Sequence, residues 1–133
     1  MDICWSSSGE QIVVGTFKAL ILIFNVESGR MVQRIDGHQQ QVQGVCWDPL
    51  GQWIASTGAD AALRISKPGK TAKAFWHCEH AVTHLTMYNE SEDKEMRQKI
   101  FLGERVFKHF FRRLEASPCG ALLVVPAAQR AKE

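Results

Sequence analysis

The chain has 133 residues, of which 45% are apolar, and a formal net charge of +2. This is the composition of one soluble domain with a hydrophobic core. The small charge argues against binding nucleic acid through a basic face, since such a face needs clustered Lys and Arg residues. The sequence shows neither the pattern of a signal peptide nor an apolar stretch near the ~18 residues of a membrane-spanning helix.

Residues 2–36 carry the pattern of four short strands. The first passes through Trp5, and the others are predicted at residues 11–15, 20–26 and 30–35, where apolar and β-branched residues recur. Short turns that contain Ser, Gly or Lys separate them. Successive strands joined by tight turns predict an antiparallel sheet.

A second group of strands follows over residues 37–76. Strands are predicted at residues 42–47, 53–55, 63–65 and 72–76. Pro49 fixes its own φ and Gly51 accepts a positive φ, so the segment between the first two strands closes as a tight turn. The order of strands and turns is that of an antiparallel meander.

The two groups repeat each other at an offset of 42 residues. Ile3-Cys4-Trp5 falls on Val45-Cys46-Trp47, and Gly9 falls on Gly51. A fainter third copy lies at residues 114–123, which keep the order apolar, small, Ser-Pro, Gly, apolar. The sequence therefore predicts a repeat protein in which the first and last units are incomplete. The predicted units cover about residues 2–36, 37–76 and 110–128.

Residues 77–109 break the repeat and are predicted to be an insertion. The polar residues 89–95 indicate a solvated loop. Residues 96–114 have apolar spacing that would also suit a helix, but Gly103 weakens that alternative. We expect a short outer strand at residues 100–102 instead.

Four cysteines lie far apart in the sequence, at positions 4, 46, 78 and 119. Cys4 and Cys46 occupy equivalent positions of the repeat and are predicted to point inward as small core residues. We expect free thiols in a reducing compartment and no disulfide framework. Trp5 and Trp47, which follow these two cysteines, are also predicted to lie in the core.

A four-stranded unit of about 42 residues resembles a blade of the WD-repeat β-propellers. Gly37-His38 matches the dipeptide that opens such a blade. The resemblance implies an all-β fold of about three blades that form a fragment of a larger propeller. A blade buries its faces only against neighbouring blades. Apolar sheet faces or edges are therefore expected to be exposed at both ends of the chain.

Three polar residues of the second unit match the structural hydrogen-bond network of such a blade: His38, Ser56 and Asp60. Ser66 stands where the network usually has Trp, and in the first unit Lys18 stands where it has Asp. Ser, His and Asp also form the catalytic triad of hydrolases. The positions of these residues in the repeat favour the structural role, and the resemblance implies no catalytic residue and no cofactor.

Two segments of the sequence resemble one particular family of WD-repeat propellers. Residues 42–52 and 110–114 are similar to the propeller of the B-type subunit family of chromatin assembly factor 1. The first segment is shared with Hir-type histone chaperone subunits, whereas Phe-Phe-Arg-Arg in the second favours the assembly-factor family. Cys119 and Ala128 depart from the family pattern, which has Asp and Gly at these positions.

This resemblance implies a non-enzymatic scaffold subunit of a nuclear histone chaperone complex that assembles nucleosomes on newly replicated or repaired DNA. The implied partners are the large and small chromatin assembly factor subunits and histones, with DNA contacted only indirectly. The alternatives are a Hir-type subunit and an unrelated WD-repeat adaptor.

One group of residues has the side-chain types of a metal site: His77, Cys78, His80 and His84. No second Cys or His pair lies at the spacing of a structural zinc site. A loop of partly exposed histidines is therefore favoured, and no metal is expected.

Four residues are candidates for binding a protein partner: Trp53, Phe110, Arg112 and Arg113. Aromatic residues and Arg supply most of the energetically dominant contacts of protein interfaces. In the alternative interpretation they only follow strand alternation, with one Phe and Leu114 in the core and the arginines at the rim. Residue types alone leave both interpretations open.

Overall fold

The computed structural model of the chain describes residues 2–70, 75–89, 94–99 and 112–126. Within these ranges all regular structure is β, which confirms the predicted fold class. The same ranges contain no helix long and apolar enough to cross a membrane.

The first unit is a four-stranded antiparallel sheet in which the strands pair in chain order. Its strands are β1 (Asp2–Trp5), β2 (Gln11–Gly15), β3 (Ile21–Asn25) and β4 (Met31–Ile35). Val13 of β2 lies opposite Ile23 of β3, and both are buried, whereas the neighbouring Ile12 and Val14 are only partly buried. Side chains alternate across a strand, so one face of the sheet packs inward and the other stays more open.

The second unit is a sheet of the same order and direction. Its strands are β5 (Val42–Trp47), β6 (Ile54–Gly58), β7 (Leu63–Pro68) and β8 (Trp76–Val82). Every residue of β5 and β6 is buried, because this sheet lies between the first unit and the third.

The outer strand of the second sheet lies further along the chain than the local pattern predicts. β8 begins at Trp76 and pairs with β7 as far as Val82. Of the strand predicted at residues 72–76, residues 72–74 lie outside the described residues, and Trp76 is the one described residue that belongs to β8. The N–H of Trp76 donates to Gln33 Oε1 at 2.8 Å, and Gln33 Nε2 donates to the Trp76 carbonyl at 2.6 Å. This contact with the first sheet holds the start of the strand. The proposed second unit is accordingly extended to Val82.

The predicted insertion contains a β-hairpin, formed by β9 (His84–Asn89) and β10 (Lys94–Lys99). Of the loop expected at residues 89–95, Asn89, Lys94 and Glu95 belong to the paired strands, and residues 90–93 lie outside the described residues. The two strands of this hairpin pair antiparallel through main-chain hydrogen bonds. The strand predicted at residues 100–102 lies outside the described residues.

One turn geometry recurs in all three units. In each case a glycine donates its N–H to the carbonyl oxygen three residues earlier, and its φ lies in the left-handed region that favours glycine. These bonds join Gly9 to Ser6, Gly51 to Asp48 and Gly120 to Ser117, at 3.0, 2.8 and 2.8 Å. The shared geometry supports a single repeated unit.

Two hydrophobic clusters join the units. The first lies between the two four-stranded sheets and includes Val13, Ile23, Val45 and Ile54. The second lies on the other face of the second sheet. There Cys46 and Ala55 meet Leu114 and Ala116, near the short antiparallel strands β11 (Glu115–Ala116) and β12 (Leu123–Val124).

The two tryptophans that follow the repeated cysteines have different environments. Trp47 is buried and meets Trp76 edge to face, with 5.4 Å between the ring centroids, which confirms its predicted core position. Trp5 is 57% exposed, so the prediction that it lies in the core is wrong. It projects with Ile3 from the face of the first sheet opposite to the one that packs on the second.

Candidate functional site

His38, Ser56 and Asp60 lie together at the start of the second unit. His38 Nδ1 is 3.0 and 3.1 Å from the two carboxylate oxygens of Asp60, and Nε2 is 2.8 Å from Ser56 Oγ. An ionised carboxylate only accepts, so Nδ1 carries the proton, and in the neutral ring Nε2 accepts from the Ser56 hydroxyl. The imidazole therefore bridges a strand residue and a turn residue.

The turn between β6 and β7 positions the Asp60 carboxylate. The next residue, Ala61, has a φ of 59°, and Ala19 has a φ of 62° at the equivalent place in the first unit. Asp60 accepts from the Gln39 N–H at 2.9 Å, which ties this turn to the segment before β5. In the first unit Lys18 precedes Ala19, so the same turn forms there without a carboxylate.

The distances in this network are those of a hydrolase triad, but its nucleophile position is closed. Ser56 lies in the middle of β6 and is fully buried, and the His38 side chain is also fully buried. A substrate carbonyl would have to reach Ser56 Oγ for acyl transfer. The arrangement can hold the turn against the sheet, and it offers no open position for a substrate.

A second group of contacts caps the free edge of β5. The Val45 N–H donates to Asp2 Oδ2 at 3.1 Å, and the Trp47 N–H donates to Cys4 Sγ at 3.2 Å. Side chains of β1 thus satisfy amides that have no strand partner. Sequence reasoning gave no role to Asp2, and no local motif marks it, because its acceptor role depends on how two units pack.

Arg112 is placed against the same strand. Its N–H donates to the Gln43 carbonyl at 2.9 Å, and its carbonyl accepts from Thr57 Oγ1 at 3.1 Å. Its side chain is among the most buried, since the residue is only 2% exposed. Burial lowers the pKa of the Arg112 guanidinium, and the Asp60 carboxylate opposes that change. The structure thus encloses the Arg112 side chain, and a partner contact through this residue stays a prediction.

Of the other three partner-binding candidates, the structure describes Arg113 and Trp53, which have different environments. The Arg113 side chain is 76% exposed, and its Nε lies 3.6 Å from Asp2 Oδ1. Trp53 is half-buried and packs on the cluster between the second and third units. Phe110 lies outside the described residues. Arg113 is thus the described candidate best placed to meet a partner.

The histidine-rich segment lies on β8 and at the start of β9. Glu79 pairs with Lys67 Nζ at 2.7 Å, and His80 Nε2 lies 3.6 Å from the same carboxylate. Over the described ranges no group of three or more His, Cys, Asp or Glu side chains could hold a metal ion.

A family model of the CAF1B/HIR1 β-propeller domain matches residues 1–133. The chain belongs to this family. The match covers every element described above, so the two four-stranded sheets and the short third unit are parts of a CAF1B/HIR1 propeller.

Relatives of this CAF1B/HIR1 chain include subunits of chromatin assembly factor 1. A rice protein, chromatin assembly factor 1 subunit FAS2 homolog, is 35% identical over 96% of this chain and 26% of its own length. The mouse B-type subunit of chromatin assembly factor 1 is 33% identical over 95% of this chain and 21% of its own length. Protein HIR1 of Kluyveromyces lactis is 28% identical over 96% of this chain and 13% of its own length. The chain thus spans about a quarter or less of these relatives.

A solved structure agrees with the fold of the CAF1B/HIR1 chain. The crystal structure of RRP9 WD40 repeats aligns with 72% of this chain and 35% of that one, at a TM-score of 0.52 and 15% identity. This likeness shows the WD-repeat propeller fold alone.

The His38–Asp60 pair should make the stability of this CAF1B/HIR1 propeller sensitive to acid. Burial of the Asp60 carboxyl opposes its charged form, but hydrogen bonds from His38 and the Gln39 N–H outweigh burial and lower its pKa. Because the folded-state pKa is lowered, this stabilisation is complete above the unfolded value of about 3.9 and is lost as pH falls through the folded value. Urea unfolding of wild type and Asp60→Asn from neutral pH down to about pH 2 measures it. The stability difference between them should shrink below about pH 4, and a constant difference would contradict the assignment.

Proposed function

We propose that this chain is part of a non-enzymatic scaffold subunit of a histone chaperone complex. The observation that carries the proposal is the family match over residues 1–133, together with relatives named as chromatin assembly factor 1 subunits at 33–35% identity. The proposed complex assembles nucleosomes on newly replicated or repaired DNA and acts in the nucleus. Its other members are the large and small chromatin assembly factor subunits and histones.

The geometry of the network of His38, Ser56 and Asp60 supports a scaffold role for this chain and not a catalytic one. Each member of the His38, Ser56 and Asp60 set is used to hold the second unit together, and the serine hydroxyl is enclosed. A net charge of +2 gives little attraction to phosphate, so DNA is contacted through other members of the complex. A Hir-type subunit is the alternative, but the HIR1 relative above is less identical than the assembly-factor relatives.

Co-purification tests the proposal. Tagged protein, expressed with the large chromatin assembly factor subunit and core histones, should recover both in stoichiometric amounts at physiological salt. Folded protein that recovers neither of them would overturn the proposal. Recovery of Hir-complex partners in their place would favour the alternative.

A surface substitution refines this experiment. Arg113→Ala should weaken capture of the partner about tenfold, because an exposed Arg at an interface is often a dominant contact. Arg34→Ala is the matched control, since Arg34 is also exposed and paired with an aspartate, at 2.7 Å from Asp36. Equal binding by the two variants, with unchanged melting temperatures, would remove Arg113 from the contact surface.

A further inference from the structure

A cleft with a volume of about 310 Å³ lies where the three units meet. Its lining comes from β1, from β5 and from the start of the third unit, and includes Asp2, Ile3, Val45, Arg113, Leu114 and Glu115. Pockets for small molecules span about 300–1,000 Å³. The cleft is therefore at the small end of this range and suits one long side chain of a partner.

The apolar walls of the cleft include one residue from each unit: Ile3, Val45 and Leu114. Ile3 is 62% exposed, so its wall is open to solvent, whereas the other two are buried. Long basic side chains pack their methylene stem on apolar surface and keep the charged end at polar groups. The walls thus match the stem of such a side chain.

The charged groups of the cleft have an excess of negative charge. Two carboxylates, of Asp2 and Glu115, line it together with one guanidinium, of Arg113. The cleft therefore carries one net negative charge, although the whole chain carries +2. Asp2 is only 9% exposed, and a charge that is shielded from water acts more strongly on a neighbouring charge. The cleft favours a cation over an anion or a neutral group.

Arg113 shows that a cation reaches Asp2 from the solvent side. Its side chain is 76% exposed, and its Nε lies 3.6 Å from Asp2 Oδ1. This separation exceeds the roughly 2.7–3.2 Å of an N–H···O hydrogen bond. Asp2 Oδ2 accepts the Val45 N–H at 3.1 Å, which fixes the carboxylate in place. Since an ionised carboxylate offers about four acceptor positions, a second cation can bind beside Arg113.

We propose that this cleft binds one lysine side chain of a partner protein. The ammonium group lies at the Asp2 and Glu115 carboxylates, and the methylene stem packs along Ile3. An ammonium is a compact charge with three donors that two carboxylates can share, whereas the planar guanidinium of arginine suits one carboxylate held in its plane. The inference goes beyond the proposed scaffold function, because it assigns a ligand chemistry to a site and applies to a basic segment of any partner.

NMR titration of the ¹⁵N-labelled protein tests the proposal. The ligand is a short peptide of glycine and serine with one central lysine. The amide signals of Ile3, Val45 and Leu114 should shift and saturate, and Val45 should respond most directly because its N–H donates to Asp2. The matched peptide has norleucine in place of lysine, which keeps the stem and lacks the charge. It should cause no saturable shift.

Three results would overturn the proposal. One is an equal response to the lysine and norleucine peptides, which would make the site apolar. Another is tighter binding of the corresponding arginine peptide. The third is a lysine response at Glu10 and Glu27, which line a separate cleft, that equals the response at the proposed site. Such a response would show a general attraction to carboxylates.

Two variants assign the carboxylates. Asp2→Asn removes the charge but keeps an oxygen that can accept the Val45 N–H, and it should weaken the lysine peptide about tenfold. Glu115→Gln should weaken it about threefold, since Glu115 is exposed and its charge is screened. Asp36→Asn is the control, because the Asp36 side chain is 61% exposed and paired with Arg34. Wild-type affinity in both cleft variants, with unchanged melting temperatures, would remove the carboxylates from the site.

Arg113→Ala separates this site from the partner capture proposed above. The lysine peptide should bind this variant at least as tightly as wild type, because a competing cation at Asp2 is removed. Capture of the large subunit by the same variant is expected to weaken. Weaker binding of the lysine peptide would show that Arg113 contacts the ligand and would contradict the assignment of the carboxylates.

Discussion

Gly44→Ala is expected to destabilise the protein by about 3 kcal/mol, since overpacking at a site that cannot relax lies at the upper end of such costs. A methyl group at Gly44 would overlap the carbonyl oxygen of Arg112 and lie 3.0 Å from Thr57 Oγ1. The overlapping atom belongs to the main chain, so rotation of a side chain cannot relieve the contact. The Arg112 segment would have to leave β5 and give up its hydrogen bonds to Gln43 and Thr57. Urea unfolding monitored by tryptophan fluorescence measures the loss.

Gly29→Ala provides the matched control. Gly29 has a φ of +63°, and an added methyl group there would meet nothing within 4 Å. The substitution should therefore cost only the backbone strain of a left-handed alanine, about 1–2 kcal/mol. If both variants lose the same stability, the close approach of Arg112 to Gly44 is not a constraint on the fold.

Asp60→Ala is expected to destabilise the protein by about 2 kcal/mol, the range for leaving buried donors unpaired. The substitution removes the acceptor of His38 Nδ1 and of the Gln39 N–H. The His38 side chain is fully buried, so water cannot replace the lost carboxylate without a rearrangement of the turn. Differential scanning calorimetry should show a lower melting temperature.

Asp36→Ala is the control for that substitution. Asp36 is paired with Arg34 at 2.7 Å, but its side chain is 61% exposed, and exposed pairs contribute about 0–1 kcal/mol. Its melting temperature should stay close to that of wild type. A normal melting temperature in Asp60→Ala together with lost partner capture would show that Asp60 is a contact residue and not a structural one.

The repeat made most of the fold predictable. Strands with apolar alternation, such as β2 and β3, and glycine turns are local signals, and the offset of 42 residues places them in register twice. The same offset indicated that Lys18 occupies the position of Asp60 in the first unit. The turn there does form with Ala19 at a positive φ, which shows that its backbone shape does not require the carboxylate.

The features that sequence reasoning missed depend on contacts between units. β8 begins where Gln33 of the first sheet holds Trp76, and no pattern within residues 72–82 reports that contact. Arg112 looked like a rim residue by strand alternation, but its main chain bonds to Gln43 and its side chain is only 2% exposed. Trp5 matches Trp47 in the repeat, but the two residues differ in burial. Among the described residues, the first sheet packs against a neighbouring sheet on one face only, and Trp5 lies on the other face.

The side chains that cap the edge of β5 come from residues that precede β5 in the chain. Asp2 and Cys4 supply acceptors to the second unit, and the Gln43 carbonyl of the second unit supplies one to the third at Arg112. A ribosome delivers the units in this same order, so β5 and the Arg112 segment emerge after the groups that will accept hydrogen bonds from their amides. An uncovered strand edge invites pairing with other chains, and early covering limits that risk during synthesis. Vectorial folding of this kind would fail if the order of the units were permuted, even with every unit retained.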